Sequence, residues 1–280
     1  MNLNSLGHPW LLRSVVALAL IGCCALSVAD EPPVPAQEAP PKLIKPQRIL
    51  FVGNSFTFWR GGLSTHMKQL SDAMAPPLGY ETSSVVRGGA SLEVMWNKTD
   101  AVKKIADGNW DVVVLQEDLP ETNVESFRKY SRKFVQAVRD AGARPILFMA
   151  WEYDRLNWIS LEEIIAAHQE MAKELKVEVA PVSWAWNKSR AVKPDLNMYS
   201  GDREHPSVAG MYLSLMVIEA TISGADPRSR NPENLPIRGL QRLNQKATQF
   251  LREIAYQSIV EWKRSLKAKN KSGRAPKALR

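Results

Sequence analysis

The sequence predicts a three-layer α/β/α sandwich built on a five-stranded parallel sheet. Two observations carry that expectation. Short apolar runs bounded by polar and turn residues alternate with longer helical stretches along most of the chain. The runs also lack inside–outside alternation, as expected of strands covered on both faces. Strands joined through helices require right-handed crossovers, which place helices on both sides of a parallel sheet. Ligands in such sheets sit beyond the carboxyl ends of the strands, so every candidate residue is judged by whether it falls there.

The elements follow in order. Residues 48–53 (RILFVG) are a buried strand, and 62–75 a helix stopped by Pro76-Pro77. Residues 80–86 are rich in strand formers. Residues 91–106 carry helical spacing through Leu92, Met95, Trp96, Ala101, Val102 and Ile105. Residues 111–116 (DVVVLQ) are the third strand and 124–141 a helix. The stretch 144–151 (RPILFMAW) is the fourth strand, 161–175 a helix and 177–182 the fifth strand. Helices over 206–223 and 240–266 complete the pattern. The βα units share no sequence period.

Composition narrows the function classes. The chain has 280 residues, 45% hydrophobic and 24% charged, which excludes a wholly disordered or collagen-like protein. Its formal charge of +8 points toward nucleic acid only until the charge is located. Residues 263–280 hold eight basic side chains and no acid, and residues 1–29 hold only Arg13. Residues 30–262 are left with 28 basic against 29 acidic groups, a nearly neutral body with a basic tail. No nucleic-acid partner is expected.

Residues 1–29 read as a secretory signal peptide: Arg13 flanks an apolar stretch, and Ser27-Val28-Ala29 offers small residues at the cleavage position. Leu20-Ile21-Gly22-Cys23 also fits a bacterial lipoprotein signal. An exported protein, periplasmic or secreted, is expected, with membrane association through a lipid on Cys23 or through the basic tail as the rival arrangement. Cys23 and Cys24 are the only cysteines, so cleavage after Ala29 leaves none and removes disulfide, Cys-metal and Cys-nucleophile chemistry. Residues 30–46 are a proline-rich linker, and 47–262 form the folded domain, followed by the tail 263–280. The sequence leaves the oligomeric state open.

Two blocks carry chemistry. The first strand ends in Gly53-Asn54-Ser55, which places a hydroxyl and a backbone N–H at the carboxyl edge of the sheet, as a nucleophile requires. The same tripeptide also serves as an ordinary turn or helix cap. A serine needs a base, and the mature chain offers His66, His168 and His205. His66 and His168 fall inside predicted helices and read as structural. His205 lies in a loop before Pro206, with Asp202 three residues earlier, a spacing that lets a carboxylate reach Nδ1 while Nε2 faces a nucleophile. Glu204 is the alternative orienting acid. Gly-x-Ser-x-Gly, Gly-x-Gly-x-x-Gly and the phosphate-binding Gly-rich loop are absent, and no His/Asp/Glu group has metal-ligand spacing; neither metal nor cofactor is expected.

Ser55 after the first strand, together with Asp202-x-x-His205 before a late helix, resembles the SGNH hydrolases, the GDSL-like esterase and lipase superfamily. The resemblance covers about residues 47–223 in four blocks: Phe51-Val52-Gly53-Asn54-Ser55-Phe56-Thr57, Arg87-Gly88-Gly89-Ala90-Ser91, Leu115-Gln116-Glu117 and Asp202-Arg203-Glu204-His205-Pro206-Ser207. Asn54 stands where the family commonly has Asp, and Gln116 where it commonly has Asn. The combination is similar to a Gly-Asn-Ser-Phe-Thr bacterial branch. The resemblance implies a flavodoxin-like sheet and a Ser-His-Asp acyl-transfer site: Ser55 attacks an ester, His205 moves the proton and Asp202 holds the imidazole. It also implies an oxyanion hole from the N–H of Ser55, the N–H of Gly89 (or Gly88) and the amide of Gln116.

Trp59, Trp96 and Trp151-Glu152 lie near strand ends, where aromatic faces suit sugar rings. Asn54, Trp59, Glu117, Trp151 and Glu152 are therefore candidate substrate-lining residues. An O-acetyl esterase acting on a small-molecule or polysaccharide ester is the expectation. A lipase or thioesterase, or a non-catalytic glycan-binding protein on the same fold, are the alternatives.

Overall fold

β1 (Gln47–Gly53) sends Ile49 and Phe51 to one face of the sheet and Leu50 and Val52 to the other, and all four are buried. A strand with both faces covered must sit inside a sheet, and it does. In the computed structural model, which describes residues 47–230 and 243–271, five parallel strands run in the order β2-β1-β3-β4-β5. The others are β2 (Tyr80–Val86), β3 (Val112–Gln116), β4 (Arg144–Phe148) and β5 (Glu178–Ala180). β3 and β4 split in the same way: Val112, Val114, Ile146 and Phe148 face one core, and Val113, Leu115 and Leu147 the other. Each fully buried large side chain contributes roughly 1.5–3 kcal/mol, so the two cores hold the sheet without any crosslink.

The helices are α1 (Ser55–Phe58), α2 (Leu63–Ala73), α3 (Leu92–Lys98), α4 (Ala101–Asp107), α5 (Val124–Asp140), α6 (Leu161–Leu175), α7 (Val182–Val192), α8 (Val208–Ser223) and α9 (Gln245–Lys271). α2, α7, α8 and most buried residues of α9 pack on the first core; α3 to α6 pack on the second. α8 is buried on nearly every side, as its predominantly apolar sequence requires.

Three departures from the sequence expectation have local causes. The helix expected over 91–106 is two, because Thr99 is extended (φ −136°, ψ 176°) and its hydroxyl accepts from the Ala101 N–H. The fourth strand stops at Phe148: the Ser183 N–H binds the Met149 carbonyl, so the chain turns away there. Residues 181–182, expected at the end of the fifth strand, instead open α7, with Pro181 capping a helix that the short apolar spacing hid.

The expected leader, linker and residues 272–280 of the tail lie outside the described residues; residues 263–271 continue α9. Among the described residues no helix is long and apolar enough to cross a membrane.

Candidate active site

The turn after β1 is built from three strand ends. Asn54 caps α1: its Oδ1 accepts from the Phe56 N–H at 3.0 Å. Its Nδ2 donates to Asp118 Oδ2 at 2.7 Å, and its backbone N–H donates to Gln116 Oε1 at 2.8 Å. Gln116 Oε1 also accepts from the Thr57 hydroxyl at 3.1 Å, while its Nε2 donates to the Glu117 carbonyl. A Cβ at Gly53 would lie 2.5 Å from both Gln116 Oε1 and Thr57 Oγ1, so only glycine admits this approach. Ser55 is thereby fixed as the first residue of α1, at the carboxyl edge of the sheet.

Asp202 and His205 meet Ser55 from a separate loop. Asp202 Oδ1 accepts from the N–H groups of Glu204 (3.0 Å) and His205 (2.9 Å), and Oδ2 lies 2.9 Å from His205 Nδ1. A carboxylate only accepts, so Nδ1 carries the proton and Nε2 is the acceptor. Nε2 lies 2.8 Å from Ser55 Oγ, across 150 residues of sequence. Burial pushes Asp202 up, but the two backbone N–H groups and the imidazole outweigh it and hold the carboxyl below its ordinary value.

The imidazole is clamped on its face as well. Trp59 stacks on it at 3.8 Å and 19°, and Phe56 meets it edge-on at 5.8 Å. Arg60 adopts a left-handed backbone (φ 52°), and its carbonyl pairs with His66 Nε2 at 3.0 Å. Its guanidinium donates to the Pro206 carbonyl at 2.9 Å and to the Ser200 hydroxyl. The residues just after the nucleophile turn therefore hold the loop just after His205.

Free donors complete the arrangement. Among the described residues, the N–H groups of Ser55, Gly88 and Gly89 have no protein partner. The Arg87 N–H binds the Gly53 carbonyl, which ties the glycine loop to the nucleophile turn, and Gly89 takes φ +60°. The geometry is that of a serine, base and orienting acid in one hydrogen-bonded line, with spare backbone donors beside the serine.

The other candidate residues separate. Gln116 is fully buried with both ends of its amide engaged, so it props the nucleophile turn and is not a free oxyanion donor. Asn54 is also fully buried and acts as a cap, so it lines no substrate surface. Glu117 is buried and accepts from the N–H groups of Leu92 and Asp118. Trp151 is fully buried, stacked on Trp186 at 3.7 Å, with its indole N–H on the Glu204 carbonyl. Glu152 is half-buried and paired with Arg190. Trp96 packs edge-on against Phe134. Of the proposed lining residues, Trp59 is the one the structure puts against the Ser–His pair. His66 and His168 are buried, and His168 Nδ1 donates to the Ile164 carbonyl.

Sequence reasoning missed Asp118 and Arg155, and placed Arg60 and Tyr153 at this sheet edge without giving either a role. Asp118 is buried and accepts from Asn54 and from the Tyr153 hydroxyl at 3.0 Å. Burial pushes it up to about 7, against the opposing Tyr153 hydrogen bond, and burial likewise pushes Glu117 up to about 7. Arg155 bridges Glu121 and Glu204. The Glu117-Asp118 pair directly after a strand was the one available signal. Among the described residues no cluster of His, Cys, Asp or Glu could hold a metal ion.

This sheet order, with a serine after β1 and an Asp-x-x-His loop before α8, is that of the SGNH hydrolase fold, and solved ester hydrolases of that superfamily are what the chain is similar to. A candidate SGNH hydrolase from Slackia heliotrinireducens is similar over 64% of this chain and 100% of its own, with 27% identity and a TM-score of 0.55. A DUF4886 family protein from Bacteroides uniformis shares the fold over 77% of this chain and 95% of its own, at 14% identity and a TM-score of 0.60. An acetyl xylan esterase, AlAXEase, shares it over 62% and 99%, at 17% identity and a TM-score of 0.50. The sequence matches no protein-family model and no curated protein.

Proposed function

We propose that the chain is an exported serine esterase that removes O-acyl groups, O-acetyl above all, from carbohydrate, using Ser55, His205 and Asp202. The observation that carries the reading is the unbroken line from Ser55 Oγ through His205 to Asp202, at 2.8 and 2.9 Å.

In this mechanism Ser55 Oγ adds to the ester carbonyl as its proton passes to His205 Nε2. The oxyanion is held by the N–H groups of Ser55 and Gly89, with Gly88 the alternative to Gly89. The bond to the alcohol then breaks, and Nε2–H protonates the departing oxygen. Water repeats the sequence to free the acid. Asp202 keeps the imidazole in the tautomer that accepts from serine and faces the imidazolium as it forms. Trp59 presents its π face to the same cation.

Two observations support carbohydrate over lipid. Aromatic surface is available beside Ser55: Phe58, on the same short helix α1, is 36% exposed. The acetyl xylan esterase on the same fold agrees with this direction.

The test is acetate release from acetylated xylan and other acetylated glycans, beside a chain-length series of aryl esters. Activity should peak at acetyl and vanish in Ser55→Ala. A maximum at long chains would replace this reading with a lipid esterase. Folded protein that hydrolyses no ester, and whose Ser55 resists a serine-directed phosphonate, would end it.

A further inference from the structure

Glu204 precedes the base in sequence but lies on the other side of the ring from Asp202. Its Oε1 is 3.9 Å from His205 Nε2, the atom that must protonate the leaving alcohol. Its Oε2 is committed: Arg155 Nε donates to it at 2.7 Å, and a terminal guanidinium nitrogen lies at 2.6 Å. Oε1, by contrast, accepts no hydrogen bond among the described residues.

The carboxylate is held from every side. The Glu204 N–H donates to Asp202 Oδ1, and its carbonyl accepts from the Trp151 indole. Arg155 is braced by Glu121 and lies over the Tyr153 ring at 4.9 Å. Tyr153 is anchored in turn on buried Asp118. The side chain is 18% exposed and Oε1 is not closed off from solvent, so a substrate hydroxyl can reach it.

We propose that Glu204 reads the leaving alcohol: Oε1 accepts a hydrogen bond from a hydroxyl on the carbon next to the esterified one, which makes monoesters of vicinal diols the preferred substrates. This inference rests on the ester-hydrolase reading above and narrows it.

The geometry closes. A departing ester oxygen sits about 3 Å from Nε2, and a hydroxyl donating to Oε1 sits about 2.8 Å from it. The two oxygens of a gauche vicinal diol are themselves about one hydrogen bond apart. These three lengths span the 3.9 Å between Nε2 and Oε1 as a closed four-sided figure. Glu204 takes no proton in the reaction: the carbonyl–alcohol bond breaks, and the proton from Nε2 goes to the ester oxygen. A leaving group with a phosphate or carboxylate in the same place meets the charge of Glu204 and is rejected. Sugar-ring esters with a free neighbouring hydroxyl meet the requirement.

The experiment compares 2-hydroxyethyl acetate with 2-methoxyethyl acetate, which differ only by a methyl on the neighbouring oxygen, with phenyl acetate as reference. The wild-type enzyme should favour the hydroxyethyl ester roughly tenfold in kcat/KM, because the ether offers the carboxylate no hydrogen to accept. In Glu204→Gln the ratio should fall near one. The carboxamide carbonyl keeps Arg155, and its NH₂, a donor, faces either oxygen alike. If Glu204→Gln does not fold, Glu204→Asp withdraws the carboxylate by one methylene and should lower the ratio. A wild-type ratio near one with phenyl acetate turned over overturns the inference, and so does a ratio that survives substitution of Glu204. Folded wild-type enzyme that fails on phenyl acetate overturns the ester-hydrolase reading instead.

Discussion

Asp202 divides its carboxylate between two tasks: Oδ1 shapes its own loop and Oδ2 holds the imidazole. Asp202→Asn keeps the size but can present NH₂ to Nδ1, which turns the tautomer so that Nε2–H faces Ser55. A fall in kcat of up to about 10⁴ with little change in KM is expected from steady-state kinetics on an aryl acetate. Trp59 acts on the ring face. Trp59→Leu removes the stack and the π-face attraction for the imidazolium, worth roughly 1–2 kcal/mol, so kcat/KM should drop about tenfold. An undiminished rate would show that the stack does nothing for the reaction. The meeting of Ser55, His205 and Asp202 was legible because, of the histidines in residues 30–280, His205 is the one outside the predicted helices, with Asp202 three residues before it. Gln116 was misread because a sequence gives an amide's identity and not which neighbours claim its two ends.

At the scale of elements, the junction of β1, α1 and β3 decides where Ser55 stands. The Asn54 N–H, the Thr57 hydroxyl and the Gly53 Cα all press on one amide, that of Gln116. Gly53→Ala puts a methyl 2.5 Å from two oxygens of this cluster and must push β1 from β3. A loss of about 1–3 kcal/mol in urea unfolding, with esterase activity lost out of proportion to the folded fraction, is expected. Gln116→Met tests the same junction from the other side. It strands the Asn54 N–H and the Glu117 carbonyl, and should cost roughly 1–3 kcal/mol of stability. The five strands and most helices were legible because apolar runs and helical spacing are local signals. α7 was not, since its start at Val182 continues the apolar run of β5 and only the turn at Pro181 separates them. The Arg60 and Arg155 clamps span long sequence separations and leave no local trace.

Across the whole molecule, buried titratable groups pull stability in opposite directions with pH. Glu117 and Asp118 are both raised to about 7, mainly by burial. Unfolded, they titrate near 4. Between those values the native state binds more protons than the unfolded state, so this pair's contribution is full below about pH 4 and is lost as pH rises through about 7. His168, lowered to about 4 by burial, works against them: its contribution is full above its unfolded value near 6.5 and is lost as pH falls toward 4. Asp118→Asn separates the two. The amide keeps an acceptor for Asn54 and removes a group that must ionise in the core, so the variant should lose less stability than wild type between pH 5 and pH 8 (read as the urea midpoint at each pH). The difference between the two proteins should reach a few kcal/mol near pH 8, on the order expected for a single buried carboxyl. Parallel pH profiles for the two proteins would mean that Asp118 is ionised throughout that range. Asp118 would then hold Asn54 as an anion, and the nucleophile turn would owe its stability to charge instead of to a shared proton.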